Sequence, residues 1–310
     1  MFSYIYQPLN EVAEMRILFN KKSLEHNIGS EQEGEYRIHG FSKYHNDVDP
    51  EYGLELVKLV HPQEYIDKVK NACFNNEKIA EIQLTPASWD AALISVALTM
   101  KAAQEGHFAV VRPPGHHAGK SCSMGFCLFN NIAIAAQKLA NEGKKVFILD
   151  IDAHHGNGTQ DIFYEDDRVY YCSIHQSFSW PNTGSPFERG SGAGLGYTLN
   201  LQLMLGCGDK PFMEAIDKAI EAGQKFNPDI VGISAGFDAY YKDKMMNLDV
   251  GLKSFYETGF RLGRAFDNLF AVLEGGYHDD IFACVRDFTD GINVGSRPVP
   301  DRYNHEMSLG

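Results

Sequence analysis

From Phe108 onward the chain alternates short runs of consecutive apolar residues with stretches of helical period, and this constrains the fold more than any other feature. Runs apolar at every position are expected of strands covered on both faces, and their alternation with amphipathic helices is the pattern of βαβ units around a parallel sheet. The predicted strands are Phe108 to Val111, Val146 to Ile151, Val169 to Ile174, Ile230 to Ser234 and Leu269 to Leu273. Predicted helices run from Trp89 to Gln104 behind a Thr85-Pro86 start signal, Asn131 to Asn141 before Gly143, Phe212 to Phe226, and Leu252 to Phe266. The fold class is therefore α/β.

No low-complexity linker divides the 310 residues, so the expectation is one catalytic domain over 1–310, with a loop-rich part at 1–58 and a tail at 296–310. Residues 20 to 53 are polar and aperiodic, and residues 176 to 196, with Pro181 and Pro186, are rich in glycine; both read as surface loops near a site. A 44% hydrophobic composition can fill a sizeable core without disulfides. Cys73, Cys122, Cys127, Cys172, Cys207 and Cys284 form no CxxC pair and read as reduced thiols of a cytoplasmic protein. The N-terminus has no leader pattern, and the longest apolar stretch, about Ala91 to Met100, is too short to span a bilayer. A net charge of −13 without basic runs excludes a nucleic-acid footprint, while an acidic surface suits cationic substrates.

Four of the five predicted strands run directly into polar segments: RPPGHHAG, DIDAHHGNG, SAGFDAYY and LEGGYH. Ligands of open parallel sheets bind beyond the carboxyl ends of the strands, so these segments are expected to converge. In Asp150-Ile151-Asp152-Ala153-His154, alternate positions of an extended chain turn two carboxylates and an imidazole to one side. With Asp238 from a neighbouring strand, Asp152 and His154 make a three-ligand metal set with an open position, suited to Zn2+ and compatible with Fe2+ or Co2+. Taken alone, the string could equally cap turns. His116 and His117 titrate in the range needed for proton transfer, with Asp150 and Asn157 as candidate orienting partners. Tyr277, on the glycine turn after Glu274, could donate to a developing oxyanion.

RPPGHHAG (112–119), GFCLFNN (125–131), DIDAHHGNGTQDIFY (150–164), SAGFDAYYKD (234–243) and LEGGYH (273–278), taken in order, resemble the histone deacetylase and acetylpolyamine amidohydrolase superfamily. The resemblance runs from about Leu59 to the neighbourhood of Asp290 and implies an arginase-deacetylase fold with a mostly parallel sheet of about eight strands between helices. It also implies a zinc-dependent deacetylase removing acetyl or related acyl groups from acyl-lysine or acetylpolyamine amines. Asp152, His154 and Asp238 match the metal ligands, His117 the general base and acid, His116 its electrostatic partner oriented by Asp150, and Tyr277 the transition-state tyrosine. Gly125, Phe126, Trp180, Met245 and Gly275 match the substrate channel; Ser173 and Ile174, with the backbone of Asp150, Asp152 and His154, match an inner K+ site.

Two departures stand out. Asn157 replaces an aspartate found in many class I members, giving a class II-like or bacterial character, and the segment Ala239 to Met245 lacks the Asp-Pro-Leu-Gly run of many class II members. Met245 then gives an apolar rim with no carboxylate for a polyamine, which favours other acyl-amines. A catalytically silent acyl-lysine-binding protein of the same fold, or an arginase-like ureohydrolase, would lack the tandem histidines or the tyrosine. A homo-oligomer is compatible with the sequence.

Overall fold

The structure is a computed structural model that describes residues 14–297, so most of the expected tail lies outside the described residues. In chain order the strands and helices are β1 (Ile17–Phe19), α1 (Pro50–Val57), α2 (Gln63–Asn75), β2 (Lys78–Ile79), β3 (Ile82–Gln83), α3 (Pro86–Glu105) and β4 (Phe108–Val110). There follow α4 (Asn131–Asn141), β5 (Val146–Asp150), α5 (Asn157–Phe163), β6 (Val169–Gln176), β7 (Thr198–Leu203), α6 (Asp209–Phe226), β8 (Ile230–Ala235), α7 (Leu252–Ala265), β9 (Leu269–Leu273) and α8 (Ile281–Gly295).

Seven of the strands form one sheet in the order β1-β4-β9-β8-β5-β6-β7, and every pairing in it is parallel. The expected α/β architecture is present, with seven strands among the described residues where about eight were anticipated. All five predicted strands form. The three-residue β1, the small antiparallel β2–β3 hairpin and the six-residue edge strand β7 were not anticipated: two or three residues carry no periodicity to read, and β7, Thr198–Leu203, alternates polar with apolar residues in place of a continuous apolar run.

Each face of the sheet carries its own core. Val146 and Ile148 of β5 point into one with α1 to α4, whereas Phe147 and Leu149 point into the other with α6 to α8. This strict alternation along a strand apolar at every position is why the run is continuous in sequence. Burying each such side chain contributes about 1.5–3 kcal/mol. Local signals fix helix ends: Thr85 and Ser88 form a capping box at the start of α3, and Gly106 closes it in the left-handed conformation. Asn130 caps α4 by accepting from the Ala133 amide.

The connections place the site. From β5 the chain moves outward to β6 and β7, then returns to β8 on the opposite side of β5 and continues to β9. Strand order thus reverses between β5 and β8, and the crevice beyond their carboxyl ends is where such sheets bind ligands. Among the described residues no helix is long and apolar enough to cross a membrane.

Candidate active site

Strand β5 ends at Asp150, and the chain then bends, so Asp152 and His154 lie beyond the strand rather than on it. Asp238 stands three residues past the end of β8. All three side chains are buried, and one ligand atom from each lies within 4.8 Å of the others. His154 Nδ1 is 3.1 Å from Asp152 Oδ1 and 2.6 Å from Asp238 Oδ2. The Ala153 amide donates to Asp238 Oδ1 at 2.6 Å and the Gly275 amide to Asp152 Oδ2 at 2.7 Å, which aims the remaining oxygens inward. Burial, followed by repulsion from Asp152, pushes the Asp238 carboxyl up to about 8; burial disfavours charge on His154, yet the two carboxylates hold its pKa at about 10. Two buried carboxyl groups and an imidazole nitrogen around one point fit a divalent metal, whose charge would replace the protons that burial and mutual repulsion favour there.

Gly275, expected in the substrate channel, instead packs beneath this trio. A Cβ there would stand 2.5 Å from Asp152 Oδ2 and 2.9 Å from Asp238 Oδ2, so no side chain fits without displacing both carboxylates.

The tandem histidines come from the segment after β4, two strand positions from β8. His116 Nδ1 is 3.0 Å from Asp150 Oδ2, and Asp150 also accepts from Tyr171 Oη at 3.0 Å. Burial favours neutral His116, but the charges of Asp150, Asp152 and Glu274 outweigh it and raise its pKa to about 10. His117 is lowered well below the ordinary value, by burial first and by the charges of His116 and His154 next. Its Nδ1 is 2.8 Å from Asn157 Oδ1, an acceptor, so Nδ1 carries the proton and Nε2 the lone pair. Two adjacent imidazoles are thus held in opposite charge states.

Tyr277 follows β9. Its amide donates to Asp243 Oδ2 at 2.6 Å, the Arg37 guanidinium lies 4.9 Å from its ring centroid, and burial keeps the phenol protonated far above neutral pH. A cavity of about 360 Å3 leads to these groups, lined by Glu81, His117, Gly125, Phe126, His154, Trp180, Met245 and Tyr277. The Trp180 ring stands 4.7 Å from that of His117 and 5.9 Å from that of His154, and Phe126 meets Tyr277 edge-on at 6.0 Å. Gly125 sits at φ +58°, where a Cβ would be 2.3 Å from the His117 ring, so both backbone and space demand glycine.

Of the residues expected at a K+ site, Ser173 pairs in register with Asp150 across β5 and β6, and its hydroxyl is 2.8 Å from His175 Nδ1. Ile174 is buried in the core shared with α6 to α8.

Sequence reasoning missed four charged residues around the site. Glu81, at the turn of the β2–β3 hairpin, accepts from the Phe126 amide at 2.9 Å and places a carboxylate on the rim that was read as apolar at Met245. Glu33 and Arg37 come from the segment taken for a surface loop, yet both are fully buried; the segment holds three short 3-10 turns, at 21–25, 35–37 and 39–44. Glu274 accepts from the amides of Gly115 and His116. Nothing in spacing marks these residues; only the presence of Glu274 in LEGGYH could have prompted attention.

Comparison with known proteins identifies the family. The histone deacetylase domain model matches residues 23–291. A probable deacetylase of Archaeoglobus fulgidus is 39% identical over 239 residues, covering 72% of this chain and 67% of that protein. An acetylpolyamine amidohydrolase of Mycoplana ramosa is 37% identical over 270 residues, covering 73% and 79%. The chain spans only 40% and 42% of the length of two chloroplastic histone deacetylases, from Oryza sativa and Arabidopsis thaliana, that it also matches. The crystal structure of the HDA15 HD domain superposes with TM-score 0.84 at 28% identity, over 92% of this chain and 90% of that one. The chain belongs to the histone deacetylase family, whose members matched here bear the names deacetylase and acetylpolyamine amidohydrolase.

Proposed function

We propose that the protein is a zinc-dependent amidohydrolase that removes acetyl or related acyl groups from the amine of acyl-lysine or acetylpolyamine substrates. The observation that carries this reading is the buried Asp152, His154, Asp238 trio at the foot of an aromatic channel, with His117 and Tyr277 lining the same cavity. Held by that trio, Zn2+ supplies Lewis acidity toward the amide carbonyl and a water molecule; Fe2+ or Co2+ could serve alike.

The chain's own groups do the rest. Phe126 and Trp180 enclose an aliphatic chain and exclude water from the amide it carries. Neutral His117, with the Nε2 lone pair free, accepts the proton of the attacking water. His116, kept cationic by Asp150, supplies positive charge beside the reacting carbonyl, and the Tyr277 hydroxyl donates to the oxygen as it becomes negative. The proton taken up by His117 then goes to the departing amine, leaving carboxylic acid and free amine as products. On the rim, Glu81 offers a carboxylate to N–H donors or to a second positive charge of the substrate. Asp150, Asp152, His154, Ser173 and Ile174 would hold K+ in a structural role beneath the site.

The test is hydrolysis of acetyl-lysine peptide, N-acetylputrescine, N-acetylspermidine and longer acyl-lysines by zinc-loaded protein. Turnover of at least one substrate, abolished by a chelator and restored by metal, is expected. Absence of turnover across the panel with zinc bound would overturn the reading.

A further inference from the structure

The turn bearing His116 and His117 and the turn bearing Tyr277 come from different strands, yet both must hold their side chains around one substrate carbonyl. Glu274 opens the second turn, immediately after β9, and its side chain reaches back to the first. One oxygen, Oε2, accepts from two consecutive amides, Gly115 at 2.7 Å and His116 at 3.1 Å, while Oε1 accepts from Ser234 Oγ at 3.2 Å. Two adjacent N–H groups bound to one oxygen leave the backbone entering His116 and His117 little freedom to rotate.

A second link joins the same turns. Glu33 Oε1 accepts from Arg37 Nη1 at 2.9 Å and from Arg112 Nε at 2.7 Å. Arg112 heads the histidine turn. Arg37 donates through Nε to Gly276 O at 2.7 Å and through Nη2 to Glu274 O, gripping the tyrosine turn on both sides of Gly275, and it lies over the Tyr277 ring. The path Glu274, histidine turn, Arg112, Glu33, Arg37, tyrosine turn closes into a ring of four fully buried ionisable side chains, two carboxyls and two guanidiniums. Removing one member would leave a buried partner unpaired, which holds the groups of the ring to one arrangement.

We propose that Glu274 is a positioning residue that sets the tandem-histidine turn in register with the tyrosine turn, with Glu33 closing the ring from the opposite side. Its role rests on the deacylase reading given above. The role is one of reach rather than charge, and two variants separate these. In Glu274→Asp the charge remains, but the carboxylate withdraws by a methylene and cannot span to both amides. In Glu274→Gln the charge is lost, but the amide oxygen can take the place of Oε2 and the NH2 can donate to Ser234 Oγ.

A misplacement of about 1 Å costs on the order of 100-fold in rate. On the substrate that the wild-type enzyme turns over, Glu274→Asp is expected to lower kcat by that order with KM within about threefold, and Glu274→Gln to recover it to within about tenfold of wild type. The reverse order, with Asp active and Gln inactive, would show an electrostatic role and overturn the proposal. So would a lowered melting temperature in Glu274→Asp with kcat unchanged below it. If the wild-type protein hydrolyses nothing, the deacylase reading fails by itself. Register is then read from the 1H–15N ring signals of His116 and His117, which must move in Glu274→Asp and stay near wild type in Glu274→Gln; unmoved signals in the Asp variant would refute it.

Discussion

Replacing Tyr277 with phenylalanine removes one oxygen and little else. The ring is buried, stacks under Arg37 and meets Phe126, and both contacts belong to carbon atoms that phenylalanine keeps. Among the described residues the hydroxyl makes no hydrogen bond, so its loss orphans no partner and should cost under about 0.5 kcal/mol of stability. Its contribution arises only when a substrate oxygen beside it gains charge. A single preorganised donor to such an oxygen is worth about 3 kcal/mol, a factor of roughly 100 to 1,000 in kcat. Because a neutral carbonyl gains far less, KM should stay within about threefold. The assay is steady-state hydrolysis of the best substrate of the panel by zinc-loaded wild-type and variant protein, with thermal unfolding measured in parallel. A kcat within about fivefold of wild type, or a loss residing wholly in KM, would refute the assignment of Tyr277 as oxyanion donor.

Three further outcomes follow from the same geometry. His154 and Asp238 in the metal-free protein keep their protons up to about pH 10 and about pH 8, so a metal must displace both; zinc affinity should rise by more than about tenfold per pH unit between about pH 6 and 8 in chelator competition, and a flat profile would refute the displacement of protons. Gly275→Ala drives a methyl against Asp152 and Asp238 and should weaken zinc binding at least tenfold by calorimetry while the chain stays folded; unchanged affinity would remove Gly275 from the support of the trio. Glu81→Gln should raise KM about threefold to tenfold for substrates with a second ammonium group and leave kcat unchanged, whereas an equal effect on uncharged acyl-amines would show that Glu81 only anchors the Phe126 amide.

Much of the site was legible in the chain because its signals are local. The runs ending at Val110, Leu149, Ile233 and Leu273 carry no polar side chain, and each breaks into polar residues within a few positions, so the carboxyl ends of four strands could be marked without knowing their order. Asp152, His154 and Asp238 were named from that pattern, and the structure brings their ligand atoms together. What remained illegible depends on contacts between distant parts of the chain. Arg112 meets Glu33 across 79 positions and Arg37 meets Gly276 across 239, so a polar segment that reads as solvated loop is buried through partners no window can contain. Glu81 reached the rim on a hairpin of two-residue strands, too short to carry a period. The identity of five of the seven strands of the sheet and the chemistry at the ends of four of them follow from side-chain patterning within a few residues, and the sequence determined them alone. Strand order, the reversal between β5 and β8 and the pairing of buried charges arise only when the sheet assembles, because burial makes an unpaired charge too costly and leaves tertiary packing to choose its partner.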